Sequence, residues 1–280
     1  MLARDLWVRI ETIHAVTYFA PEAAQAAKDA GLRGFWMSYF GFRASPLGPV
    51  GPGVVEATFA NFSPAMVRRA IPDAWSYAHP PELVRVRAAA ASAALRDVLP
   101  SIEGAAEALN PVLQRVAAAA DPLGRPLFAA NLGVSQFDDP VAQLWQLCTT
   151  LREHRGDGHV AALAAAGVGG CQAHLLLIAD RGLPAEVFLD NRGWDEPSRL
   201  EAHHGLQERG LIDGPVLTEA GRELRARIEA TTDERANEPY STALSEPDLA
   251  GLMESLTPLA AAVQTADVIP FPNPMGLPPI

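Results

Sequence analysis

Lysine and cysteine are almost missing from this chain of 280 residues. Lys28 is the single lysine beside 21 arginines, and Cys148 and Cys171 are the two cysteines. Two cysteines cannot build a disulfide framework, so nothing indicates an oxidising compartment. No apolar run reaches the ~20 residues that a membrane span needs, and charges interrupt residues 1–10, where a signal peptide would have an apolar core. We therefore expect a cytoplasmic protein that does not enter a membrane.

Positive charge is also in short supply. The chain carries 33 acidic against 22 basic residues, a formal net charge of −11 at pH 7. Proteins that bind nucleic acid gain much of their affinity by neutralising phosphates with lysine and arginine. An acidic total leaves room for a local basic patch, but it argues against DNA as a partner.

Several familiar catalytic and cofactor motifs are missing. There is no Gly-x-Ser-x-Gly elbow, no phosphate-binding loop with a lysine, and no Gly-x-Gly-x-x-Gly motif after a strand. His154 and His159 are five positions apart, which is not the i, i+4 pairing of a helical zinc site. We therefore predict no nucleotide cofactor, no other cofactor and no metal.

Helix signals dominate the chain. Four capping residues, each with a proline directly after it or close by, predict helix starts at Ser63, Asp121, Asp139 and Ser245. The clearest helical period follows Asp139, with apolar residues every three or four positions up to Leu151. The one plausible hairpin lies at residues 211–217, with its turn at an Asp-Gly pair.

The segment "LQERGLIDGPVLTEAGREL" resembles the end of a winged-helix domain of the MarR type. In such domains a recognition helix is followed by a hairpin, the wing, and then by another helix. Gly210 would end the first helix and Thr218 would cap the second. This wing is short and has Asp213 at its turn, and residues 195–209 carry four acids against two arginines. Both departures argue against DNA reading by this segment.

A wider resemblance rests on "YFAPEAAQAAKDAGLRGFWMSYFGFRASPLG", "FANFSPAMVRRAIPDAW" and "LWQLCTTLREHRGDGHVAALAAAG". These segments are similar to an actinobacterial group of helix-turn-helix proteins called SalK-like, after a protein from a polyether biosynthetic cluster. The resemblance extends over nearly the full length, to "NPMGLP" in the tail. It implies a winged-helix-like fold and a setting in specialised metabolism, and it carries no secure activity.

We predict an all-α fold with one short β-hairpin wing, organised as two helical winged-helix-like modules around a central cavity. Residues 1–135 would form the N-terminal helical module and residues 136–267 the winged-helix-like module. Residues 268–280 contain five prolines and would form an extended C-terminal tail.

The stretch "REHRGDGH", residues 152–159, is the densest in ionisable groups. Gly156 and Gly158 would break the helix there and create a corner between two helices. In one interpretation the corner is a site: Arg152 and Arg155 bind an anion, and His159 exchanges protons, oriented by Asp157, with His154 beside them. In the other, the same groups form a buried polar network that holds a tight turn.

An aromatic cluster near the N-terminus is a second candidate wall. Tyr18, Trp36 and Tyr39 would line a cavity, with Trp145 from the helix that precedes the corner. Tyr39 and Arg43 are at i, i+4, which would place a hydroxyl and a guanidinium together as a cradle for a carboxylate or phenolate. Aromatic residues at this spacing also form ordinary cores.

These features favour binding of a small organic molecule, partly apolar and anionic, by a carrier, resistance or accessory protein that functions as a monomer or a homodimer. One alternative is a MarR-like, ligand-responsive transcriptional regulator. The other is a cofactor-free enzyme, an isomerase, cyclase or hydrolase, with His159 and Asp157 as its acid–base pair.

Overall fold

The computed structural model describes residues 2–280, with side chains from Arg4 onward. Among these residues the fold is all-α with one two-stranded hairpin, as predicted. The elements are α1 (Leu2–Phe19), α2 (Pro21–Asp29), α3 (Gly34–Ala44), α4 (Pro52–Thr58), α5 (Pro64–Arg68), α6 (Ala74–Tyr77), α7 (Pro80–Val98), α8 (Ile102–Ala119), α9 (Pro126–Leu132), α10 (Pro140–Ala165), α11 (Gly170–Arg181), α12 (Ala185–Leu189), α13 (Glu196–Glu208), β1 (Ile212–Asp213), β2 (Val216–Leu217), α14 (Glu219–Ala243) and α15 (Glu246–Thr265). Short 3-10 turns lie at Ser45–Leu47 and Asp190–Arg192.

The largest core packs α1 against α7, α8, α10, α14 and α15. Fully buried side chains such as Leu6, Leu113 and Trp145 meet there. This core contains residues from both sides of position 135, where the sequence predicted a boundary between two modules. The division into two modules stays a prediction. A second core lies among α2–α7 and includes Leu127 of α9, and a third joins the end of α10, α11, α13, the hairpin and α14.

The predicted break at Gly156 and Gly158 is wrong. Helix α10 is continuous over 26 residues and passes through both glycines. Each glycine costs a helix interior about 1 kcal/mol relative to alanine, but buried side chains before and after them, including Leu151 and Leu163, hold the chain in place. The predicted corner is therefore a stretch of helix whose successive side chains point in different directions.

The predicted helix starts have mixed outcomes. Ser63, Asp139 and Ser245 each accept a hydrogen bond from the first turn of the helix that follows, as their spacing with proline predicted. Asp121 is not a helix cap: its carboxylate accepts from Leu123 N in a turn, and α9 begins only at Pro126.

The hairpin forms as the sequence predicts. Ile212 pairs with Leu217 in the antiparallel hairpin. Gly210 adopts a φ of +64° after α13, and the Thr218 hydroxyl accepts from Gly221 N at the start of α14. A Cβ on Gly221 would overlap the carbonyl oxygen of Leu211, so this close approach requires glycine.

The tail lacks regular secondary structure after α15 and is fastened by its own side chains. Asn273 is almost fully buried, accepts from the N–H groups of Met275 and Leu277, and donates to the Leu277 carbonyl. Ile269 and Leu277 are buried in the largest core. These anchors hold the intervening prolines over one face of the helices.

No single described helix is both long and apolar enough to cross a membrane. Helices α10 and α11 pass that test only as a pair, bent by 96° at their junction.

Candidate functional site

A cavity of about 490 Å³ opens where α1, α3, α10, α11 and α14 meet. The segment 58–62, α12 with the 3-10 turn Asp190–Arg192, and the C-terminal tail complete its walls. Of the predicted ligand-binding residues, the lining includes Tyr18, Trp36, Tyr39, Arg43, Arg152 and Arg155.

The cavity concentrates positive charge in an acidic protein. Seven of the 21 arginines line it, against two glutamates and no aspartate. The planar guanidinium group pairs well with carboxylates and phosphates. The seven are Arg4, Arg43, Arg152, Arg155, Arg181, Arg192 and Arg225, and the glutamates are Glu11 and Glu229.

A buried chain of ion pairs supports one wall. Both Arg43 Nε and Nη2 donate to the Glu153 carboxylate, at 2.8 and 2.9 Å, and Arg152 Nη1 donates to the same group at 2.8 Å. Arg152 Nε in turn donates to Glu11 at 3.0 Å. Burial would raise the pKa of Glu153, but the two guanidinium groups hold that pKa well below its usual range. This network uses two arginines to balance two carboxylates.

At another wall three arginines pair with three carboxylates. Arg155 Nη2 donates to Asp233 at 2.7 Å and lies 3.7 Å from Glu229. Arg4 contacts both of these acids, and Arg225 Nη1 lies 3.8 Å from Glu229. Arg225 Nε also donates to Asp180 at 2.7 Å. This network therefore balances its charges, three arginines against three carboxylates.

Arg192 has the least compensated charge. Only 7% of the residue is exposed, and no carboxylate lies within salt-bridge distance of it among the described residues. Its Nη2 donates to the Pro274 carbonyl at 2.7 Å, its guanidinium lies 4.4 Å from the ring centroid of Phe62, and its Nε is buried without a partner. Burial lowers the pKa of Arg192. An anion in the cavity would supply the missing counter-charge.

Another part of the lining is aromatic. The ring centroids of Tyr18 and Tyr39 lie 4.8 Å apart. Those of Trp36 and Phe62 lie 5.8 and 5.2 Å from the Tyr39 centroid. Arg43 Nη1 donates to the Tyr39 hydroxyl at 3.1 Å, so the predicted i, i+4 pair forms. The wall combines apolar surface with phenol oxygens.

Trp145 does not line the cavity, contrary to the prediction. It is fully buried, its indole N–H donates to the His14 carbonyl at 3.1 Å, and its ring stacks on the His14 imidazole. Thr149 gives its own hydrogen to the Trp145 carbonyl, so it accepts from His14 Nδ1, and His14 Nε2 then accepts from the Tyr18 hydroxyl at 2.8 Å. Trp145 thus fixes Tyr18 indirectly, from behind the wall.

The predicted acid–base pair does not form. Positions 157 and 159 differ by about 200° around a helix, so Asp157 and His159 face opposite sides of α10. Asp157 accepts from Phe128 N at 2.9 Å, and burial raises the pKa of its carboxyl to about 7. His154 packs on the Phe128 ring on that same side, and burial lowers its pKa to about 4. Neither residue lines the cavity.

His159 does line the cavity, without Asp157. The Thr232 hydroxyl donates to the Ile228 carbonyl, so it accepts from His159 Nδ1 at 3.0 Å. This leaves Nε2 of His159 as a hydrogen-bond acceptor. Burial lowers the pKa of His159 to about 4, which keeps the ring neutral near pH 7.

Sequence reasoning missed much of the lining. The lining residues missed are spread over four helical segments between positions 4 and 225: Arg4, His174, Arg181, Arg192 and Arg225. No local spacing could have grouped them. The abundance of arginine beside a single lysine was the available signal, since it shows a preference for guanidinium groups throughout.

No group of three or more His, Cys, Asp or Glu side chains within residues 2–280 is arranged to hold a metal ion.

In comparisons with known proteins, the sequence model of a helix-turn-helix family matches residues 3–270. Neither a curated protein nor a solved structure gives a match.

Proposed function

From the premise that this chain belongs to a helix-turn-helix family, we propose that it binds a small, partly apolar organic anion in the cavity between α1, α3, α10, α11 and α14. One observation carries the proposal: seven arginines and two glutamates line a cavity whose other wall is aromatic. Its volume, about 490 Å³, falls within the ~300–1,000 Å³ of ordinary small-molecule sites.

The charges favour an anionic ligand because two of the seven lining arginines, Arg181 and Arg192, have no carboxylate within salt-bridge distance among the described residues. Arg192 is buried, whereas Arg181 is an exposed residue of the lining. Partial burial, and then repulsion from Arg225 and Arg4, lowers the pKa of Arg181. A carboxylate, phenolate or phosphate in the cavity would relieve this repulsion.

The aromatic wall favours a ligand with an apolar body. Tyr18, Trp36, Tyr39 and Phe62 offer ring surface, and Tyr39 holds Arg43 in place. Together with the SalK-like resemblance, this supports a product or intermediate of specialised metabolism as the ligand. The protein would then act as a carrier, resistance or accessory protein.

The proposal is tested by native mass spectrometry of the protein after incubation with a metabolite extract of its host. We expect a retained adduct of a few hundred daltons. The adduct should be lost from Arg192→Met and weakened in Arg181→Met, which changes an exposed side chain. Arg227→Met is the matched control, because Arg227 lies on the exposed surface of α14. No adduct, or equal retention by all four proteins, contradicts the proposal.

A second candidate is a ligand-responsive transcriptional regulator, which the family favours. Its difficulty is charge: Asp195, Glu196, Glu201 and Glu208 lie on or at the end of α13, and Asp213 is in the hairpin. Such a regulator would require a homodimer that assembles a basic face from other residues. Analytical ultracentrifugation and promoter binding over a series of salt concentrations test it, since phosphate contacts weaken steeply with salt.

A further inference from the structure

A second cavity, of about 300 Å³, lies among α1, α2 and α3. It differs from the first cavity in character, because none of the seven arginines lines it and its surface is mostly apolar. The chain's single lysine, Lys28, stands exposed at its edge. The main side chains that line only this cavity are Thr17, Ala24, Leu32, Ser38 and Phe42.

The two cavities are neighbours. Tyr18, Phe35 and Tyr39 line both, so three aromatic rings form the partition between them. The Phe35 ring lies 6.4 Å from that of Tyr39, yet 51% of the residue is exposed. An exposed side chain changes rotamer within nanoseconds, so Phe35 is not a fixed barrier.

Thr17, a residue of this lining, carries an unpartnered polar group. Thr17 is 8% exposed, and its hydroxyl has no hydrogen-bond partner among the described residues. A buried hydroxyl without a partner costs free energy that an incoming donor or acceptor would recover. Other threonines in these helices avoid this cost by donating to the carbonyl four residues earlier, as Thr12 does to Val8 and Thr232 to Ile228.

We propose that the second cavity binds the apolar tail of the same anion whose charged group the arginines hold. The inference rests on the proposed function. The ligand class is an elongated amphiphile: an acidic group in the first cavity, a chain or ring system passing Tyr18 and Phe35, and a hydroxyl or carbonyl opposite Thr17.

Calorimetry with straight-chain alkyl carboxylates, from hexanoate to hexadecanoate, tests the tail. Burying one methylene is worth about fourfold in affinity. We expect affinity to rise with chain length in the wild type. Ala24→Phe, which fills the second cavity from an exposed helix position, should remove the gain for the long members and leave the short ones unchanged. Gln25→Phe is the control, since Gln25 is exposed on the same helix but does not line the cavity.

A second variant tests the polar end. Thr17→Val keeps the shape of the side chain and removes the unpartnered hydroxyl. It should leave the binding of dodecanoate unchanged and weaken the binding of 12-hydroxydodecanoate by about threefold to tenfold, the usual effect of one hydrogen bond. The thermal stability of this variant should not fall, because the lost hydroxyl has no partner.

The outcomes separate the two proposals. If long carboxylates bind the wild type and Ala24→Phe equally well, the tail site is wrong and the anion site survives. If no carboxylate binds any variant, the proposed function and this inference both fail. If Ala24→Phe loses affinity for short and long members alike, the second cavity does not hold the tail.

Discussion

Replacing Asp157 by asparagine should make the protein more stable at neutral pH. The Asp157 residue is 4% exposed, and burial raises the pKa of its carboxyl from 3.8 to about 7. Between these values the folded protein holds a proton that the unfolded chain releases. The free energy of unfolding therefore falls as pH rises from about 4 to about 7, and the full loss persists above pH 7. Three pKa units correspond to roughly 4 kcal/mol.

The Asp157→Asn side chain cannot ionise, and its oxygen can still accept the Phe128 N–H. About two of the three pKa units lie between pH 5 and pH 7. Between pH 5 and pH 8 the free energy of unfolding of the wild type should therefore fall by about 3 kcal/mol relative to that of the variant. Urea unfolding at the two pH values measures the difference. Asp97→Asn, an exposed position, should follow the wild type.

Parallel pH profiles for Asp157→Asn and the wild type would refute this reasoning. They would mean that Asp157 is ionised in the folded protein, with the N-terminus of α9 stabilising its charge. Ligand affinity provides a separate check. Because Asp157 does not line the cavity, the substitution should leave binding unchanged.

Three further predictions use other features of the fold. Gly170→Ala should destabilise the protein, because its Cβ would overlap the backbone carbonyl of Ala60 in the cavity wall. Gly104→Ala, with open space around it, should stabilise α8 by about 0.5–1 kcal/mol. Urea midpoints equal to that of the wild type would contradict both expectations. Glu153→Gln should lower the free energy of unfolding by about 3–5 kcal/mol, since two buried guanidinium groups lose their counter-charge; an unchanged urea midpoint would contradict it. Burial raises the pKa of Cys148 to about 12 and of Cys171 to about 11, so thiol reagents at pH 8 should label both only after unfolding, and rapid labelling of the native protein would contradict their burial.

The hairpin was predictable because its signals are local. Gly210 ends a helix, the hairpin has two apolar anchors, and Thr218 caps the next helix within a few residues. The Tyr39–Arg43 pair was predictable for the same reason, since residues four apart meet on a helix. In these places the spacing along the chain determines the geometry.

The error at Gly156 and Gly158 has a tertiary cause. Glycine propensity disfavours helix by about 1 kcal/mol per residue, while each buried leucine contributes about 1.5–3 kcal/mol to packing. Helix α10 lies between α1, α8, α9 and α14, so packing outweighs the local preference. Because the helix is continuous, Asp157 and His159 lie on opposite sides of it. The predicted acid–base pair, which required a corner between two helices, therefore does not form.

The burial of arginine also changes the meaning of the net charge. The cavity takes in seven arginines with two glutamates, so the rest of a chain that totals −11 is more acidic than the whole. Buried guanidinium groups such as Arg192 cannot meet a DNA backbone. The cavity nevertheless contacts α14, the helix that follows the hairpin, because Arg155 donates to Asp233 and His159 to Thr232, both on α14. An anion that drew Arg155 toward itself would weaken the Arg155–Asp233 contact. Ligand binding in the cavity would therefore act on the same helix that begins at the hairpin.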